Sequence, residues 1–195
     1  MNILKNIYRK LSKVSDLIQL VIEVIAGLLI ALCSLDLFYQ VLYRFIIVKF
    51  VAISSPFTEE FARYAMVWSA YLAIAICAKE GNMPALTLLP DAMKGKAKYV
   101  VYAITRIAIV AFLIYGIKYG WAAIMNNRNF HSPVMNLPGT AIYSSPFAAC
   151  ILLLFDLAVE VIGVVSGEAE PFPNRGNSLL FKWLGVDKDS QVEDI

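Results

Sequence analysis

Apolar residues run almost unbroken through four stretches, Leu17 to Ile47, Pro56 to Ala78, Tyr99 to Ile124 and Pro138 to Val165, and polar residues gather between them. About 20 helical residues at 1.5 Å rise cross the hydrocarbon of a bilayer, so each stretch is long enough to span, with some tilt. The pattern predicts an all-α integral membrane protein with four transmembrane helices.

Ahead of the first span, Ile3, Leu4, Ile7, Leu11 and Val14 recur at helical spacing, with Lys5, Arg9, Lys10 and Lys13 around the rest of the wheel. This spacing predicts an amphipathic helix lying on the membrane surface. The alternative is an extension of the first span beyond the bilayer. "SDLIQ" argues for a break, since Asp16 and Gln19 stand at the spacing of an N-cap and its N3 partner. The predicted organisation is an interfacial segment over 1–15, a four-helix domain over 16–166 and a tail over 167–195.

The second span is expected to open with Ser55 as N-cap and Pro56 at the first helical position, which needs no N–H. Glu59 and Glu60 then fall near the positive end of the helix dipole. The fourth span is read from Pro138, with Pro146 inside it. Gly and Pro around "ALTLL" in the second loop suggest a short segment dipped against the interface. "SLLFKWLG" in the tail reads as a short amphipathic contact.

Composition agrees: of 195 residues, 59% are hydrophobic and only 16% charged, with a mean hydropathy of +0.67, well above a soluble domain. A net charge of +2, without a basic patch interleaved with aromatics, excludes a nucleic-acid partner. Lys and Arg favour the N-terminal segment and the second loop (Lys79, Lys94, Lys96, Lys98) over the first and third loops (Arg44, Lys49, Arg128). Both termini are therefore expected in the cytoplasm. No small-x-small cleavage site follows the first apolar stretch, so it is read as an anchor rather than a signal peptide.

Cys33, Cys77 and Cys150 fall on different spans without metal-type spacing and are read as packing residues. The single His131 excludes a haem held between paired histidines, and no cofactor is expected.

Charges within the spans each need a partner or a role, because an ionised side chain at a helix centre costs about 2.5–3.5 kcal/mol. Asp36, Gln40 and Arg44 repeat at i, i+4, i+8, and Glu59 with Arg63 is an i, i+4 pair. Counted from the span ends, Asp36 and Arg63 lie roughly 10–12 Å down and are expected to meet. That predicts an outer cluster and candidate subunit interface of Asp36, Gln40, Arg44, Glu59, Glu60, Arg63 and Trp68, with Arg63 holding buried carboxylates. An inner cluster is predicted from Glu23, Arg106, Asp156 and Glu160, as polar glue that fixes helix register, with an ion or proton path and a partner or lipid contact as the alternatives. Trp68 lies near mid-membrane, where its indole N–H needs a protein acceptor. Tyr43, Tyr119, Trp121 and Tyr143 read as an outer aromatic belt, and Tyr99 and Tyr102 as an inner one.

"QVLYRF", then "FTEEFARYAMVW", a Lys-Glu-Gly turn and "LLPDAMKGKAK" together resemble the small membrane subunit, of DctQ type, of tripartite ATP-independent periplasmic (TRAP) transporters. The resemblance covers residues 17–163. It is carried by Gln40, Val41, Arg44, Phe57, Thr58, Glu59, Glu60, Arg63, Trp68, Gly81, Leu137 and Pro138. Phe57 stands where Trp is more usual, and Asn82 and Met83 replace the His that often follows the loop glycine.

The resemblance implies an accessory scaffold in a bacterial inner membrane. Its implied partners are a large membrane subunit carrying an organic acid with sodium, a periplasmic substrate-binding protein, and membrane lipids. The substrate would be of the sialic acid or dicarboxylate class, chosen by the other components. Glu59, Glu60 and Arg63 would then pin the first helix hairpin and present a docking edge. The competing reading is a stand-alone four-helix proton-coupled transporter with Glu23 as its proton site. An enzyme would need a nucleophile and base that the sequence does not place together.

Overall fold

A computed structural model describes residues 2–46, 56–80 and 96–169. Four helices fill these segments: α1 Asn2–Phe45, α2 Pro56–Glu80, α3 Lys96–Asn126 and α4 Gly139–Ser166. All four are long and apolar enough to cross a membrane. Large apolar side chains such as Leu17, Leu35, Phe112 and Val165 point outward, and the buried positions are mostly small. That is the inverse of a water-soluble bundle, and it suits helices whose solvent is lipid.

On α2 the buried residues Ala62, Ala65, Ser69, Leu72 and Ala75 recur every three or four positions, which places them on one face. Short side chains there let α1 approach closely, and Cys33 Sγ reaches Ala62 O at 3.7 Å. α4 lies against α1, α2 and α3, whereas α3 touches α4 alone among the described helices. Gly116 and Gly120 make that contact: a Cβ on Gly116 would fall 2.9 Å from Cys150 Sγ, and one on Gly120 3.3 Å from Phe147 Cβ.

As expected, α4 begins after Pro138 and keeps Pro146 inside it. The N–H that Pro146 lacks is replaced at its acceptor, because Ser145 Oγ donates to Ile142 O at 2.8 Å. The helix closes on Gly167 at φ 74°, with the backbone N–H of Glu168 returning to Gly163 O at 3.1 Å, a left-handed cap that favours glycine.

The expected break at Asp16 is absent. α1 is helical without interruption over 44 residues, about 66 Å at 1.5 Å per residue, so residues 2–15 and the first span are one element. Asp16 pairs with Lys79 at 3.2 Å and Gln19 donates to Glu23 at 3.2 Å, so neither caps a helix. The first turns of α1 pack beside the end of α4. Arg9 Nη2 meets Glu168 Oε1 at 3.1 Å, and Tyr8 lies so close to Gly163 that a Cβ there would fall 2.5 Å from its ring. The ends of the bundle are therefore a near end, with the start of α1 and the finish of α4, and a far end, with the α3–α4 connection. Ser55, the "ALTLL" segment and "SLLFKWLG" lie outside the described residues.

Candidate functional site

At the far end the 127–138 connection folds back on itself. Gly139 N–H donates to Phe130 O at 2.7 Å and Ser132 N–H to Leu137 O at 2.9 Å, while Asn136 turns the chain at φ 52°. This tight loop presents Ser132 and two backbone N–H groups to α2. Glu60 accepts all three: from Ser132 Oγ, from Val134 N–H at 3.2 Å and from Met135 N–H at 2.8 Å. Tyr64 Oη adds a fourth bond at 3.0 Å from one turn along α2. A buried carboxylate needs donors from more than one direction, and the loop supplies them. Glu60 is thus the latch between α2 and the α3–α4 connection.

The predicted outer cluster is redistributed around this latch. Gln40 donates to Asp36 at 2.8 Å, as the i, i+4 spacing implied. Arg44, Glu59 and Arg63 are exposed, and among the described residues none of them joins an ion pair. The register explains why. Cys33 lies against Ala62 and Asp16 against Lys79, which puts Asp36 level with the first turn of α2 and Arg44 about 12 Å beyond it. Arg63 therefore strands no carboxylate. It lines, with Glu59, Val67, Phe130 and Val134, an open cleft of about 310 Å³ beside the latch. Trp68 finds its expected acceptor, donating from Nε1 to Ala141 O of α4 at 2.9 Å.

Toward the near end the predicted inner cluster divides between two networks, with Glu23 on α1 paired within its own helix to Gln19. Arg106 of α3 meets Glu160 of α4 at 2.5 Å, with side chains only 13% and 16% exposed. Tyr102 Oη donates to the same oxygen at 3.3 Å, and its ring lies 5.0 Å from the guanidinium, so Tyr102 is a buried member of the site rather than a belt residue. The second network joins α1, α2 and α4. Lys79, its side chain 5% exposed, lies 3.2 Å from Asp16 and 3.8 Å from Asp156, and Ser15 Oγ donates to Asp156 at 2.6 Å. Glu23 does not meet Arg106, because α1 and α3 do not touch; Gln19 donates to it at 3.2 Å.

Residues 33–167, more than half of the chain, match the family described as tripartite ATP-independent periplasmic transporters, DctQ component. The chain belongs to that family. A Haemophilus influenzae protein provisionally named a TRAP transporter small permease protein is 24% identical over 144 residues, covering 74% of this chain and 87% of its own. In this DctQ chain the matched region holds the Glu60 latch, the Trp68 bond and the Arg106–Glu160 pair.

Ser132, Lys79, Ser15 and Tyr64 join the networks without a sequence signal that marks them. Ser132 carries no motif, and its role depends on the fold of the loop. Lys79 is expected in the second loop, but α2 extends through Glu80 and buries its side chain. Cys77 also differs from expectation: it is exposed, whereas Cys33 is buried.

Proposed function

We propose that this chain is the stationary partner of a large membrane subunit in a TRAP transporter. That subunit would carry an organic acid, of the sialic acid or dicarboxylate class, together with sodium, after delivery by a periplasmic binding protein. In this reading the chain lies in a bacterial inner membrane with both termini in the cytoplasm, as the basic residues at the near end favour, and the first turns of α1 rest at the membrane surface.

The observation that carries the reading is how Glu60, Arg106 and Lys79 are engaged. Glu60 ties α2 to the α3–α4 connection, Arg106 ties α3 to α4, and Lys79 ties α2 to α1 and α4. Each bond links two segments and so fixes their register. A helix pair that moved substrate would have to break such bonds in every cycle, whereas a support is strengthened by them. The exposed rim at the far end, with Arg44, Glu59, Arg63 and the neighbouring cleft, is then the docking edge for the large subunit or the binding protein.

The test is to tag the chain, extract native membranes in mild detergent and identify stoichiometric partners by mass spectrometry. A large polytopic membrane protein at one to one is expected, with uptake of an organic acid in vesicles requiring both proteins and a binding protein. Recovery of the chain only as a homo-oligomer, with uptake unaffected by its deletion, would sink the proposal.

A further inference from the structure

The two helix hairpins are out of step along the bundle axis. Trp68, at the middle of α2, donates to Ala141 in the first turn of α4, and Lys79 at the end of α2 meets Asp156 beyond the middle of α4. Cys33, at the middle of the Leu17 to Ile47 stretch, lies against Ala62, about 9 Å farther out than Trp68. α3 instead keeps step with α4: Arg106 meets Glu160 and Gly116 faces Cys150, so their midpoints coincide to within a turn. The midpoint of α2 therefore stands about 16–21 Å nearer the far end than those of α3 and α4, and that of α1 at least as far. A flat hydrocarbon layer about 30 Å thick has to take in the middle of every span. An upright bundle cannot do so. Centred on α3 and α4, it would lift Leu32, Leu35, Phe38 and Val41 of α1, 48–65% exposed, out of the hydrocarbon. Centred on α1 and α2, it would drop Ile104 and Ile107 of α3 and Val165 of α4, 63–73% exposed, out of the other side.

We propose that the apolar belt by which this bundle meets the bilayer runs obliquely around it, with the helices tilted by about 40° from the membrane normal and the far end leaning toward the side of α1 and α2. Two observations give the tilt independently. The apolar helices span 25 residues in α2 and 28 each in α3 and α4, about 37–42 Å, and such lengths cross about 30 Å of hydrocarbon at roughly 37–44°. The stagger asks for the same: α2 and α3 lie on either side of α4, about 18 Å apart at two helix spacings, and levelling about 16–21 Å across that distance takes roughly 40–50°. The tilt also places the basic first turns of α1. Arg9, Lys10 and Lys13, all exposed, leave the hydrocarbon at the near interface, while Gly163, which Tyr8 packs against, still lies in the apolar part of α4. The start of α1 thus passes beneath the end of α4, at headgroup level, without a break in the helix.

The test uses the full chain in phosphatidylcholine bilayers. Polarised infrared absorption of the amide I band in aligned bilayers is expected to give a mean helix tilt of about 40°. Depth is then read from nitroxide labels at Leu32 of α1, Phe112 of α3 and Met125 of α3, in a background carrying Cys33→Ala, Cys77→Ala and Cys150→Ala, by comparing collision rates with oxygen and with a water-soluble nickel chelate. Leu32 and Phe112 are expected to share the depth of the bilayer centre, with Met125 about 15 Å shallower. An upright bundle would instead put Leu32 level with Met125, and Phe112 about 20 Å from both. A mean tilt below about 20°, or Leu32 at the depth of Met125, would overturn the proposal. The infrared measurement needs no substitution, so it decides alone if the cysteine-free background does not fold.

Discussion

Arg106→Met tests whether the near-end pairs hold the bundle together. The substitution removes a guanidinium that contacts Glu160 at 2.5 Å and lies over the Tyr102 ring at 5.0 Å. Glu160 is left 16% exposed, with the Tyr102 hydroxyl, at 3.3 Å, as its donor in place of the lost cation. Breaking a buried pair from one side costs about 3–5 kcal/mol, and losing the cation–π contact about 0.5–1 more. Because both groups keep some exposure, the lower figure of about 3 kcal/mol is the better expectation. At about 2–4 °C per kcal/mol for a chain of this size, the melting temperature should fall by roughly 6–12 °C. Pairing Arg106→Met with Glu160→Met removes both charges, and a buried pair replaced by apolar residues of similar volume is often close to neutral. The assay is a double-mutant cycle read by thermal unfolding of purified protein in mild detergent. Single variants within about 0.5 kcal/mol of the parent, or a double variant that loses the sum of the two singles, would refute the assignment.

Glu60→Ala is expected to lower the melting temperature more than Arg63→Ala, since it leaves Ser132 and the N–H groups of Val134 and Met135 without their acceptor, and Glu60→Gln should fall between them. Equal losses for Glu60→Ala and Arg63→Ala would remove Glu60 as a latch. Gly163→Val should push the Tyr8 ring off α4, making trypsin cleavage at Arg9 and Lys10 several-fold faster, and Tyr8→Ala in the same chain should restore resistance. Unchanged proteolysis of Gly163→Val would show that α1 is not fastened there. Glu23→Gln should leave substrate uptake by the reconstituted transporter intact, and a loss of uptake with normal complex yield would place Glu23 on a coupling path.

Length and apolar content determined the four spans, because crossing a bilayer is a property of about 20 consecutive residues and needs no knowledge of neighbours. The start of α4 at Pro138 was legible for the same reason, as was the need of Trp68 for an acceptor, though not which carbonyl would serve. Pairing of the charges was a different matter. Depth counted from span ends brought Asp36 to Arg63, but the register set by Cys33 on Ala62 lifted Asp36 to the first turn of α2, and the buried carboxylate proved to be Glu60, held by a loop more than seventy residues away. Asp16 and Gln19 carry a capping signature that local sequence cannot override, yet Lys79 claims the one and Glu23 the other, and the helix runs through. Rotation about each helix axis, relative to neighbours distant in sequence, decides whether a charge is buried, paired or outward. Only the tertiary structure fixes that rotation, and so only it shows that Arg106 faces Glu160 while Lys118, twelve residues on in the same helix, faces away.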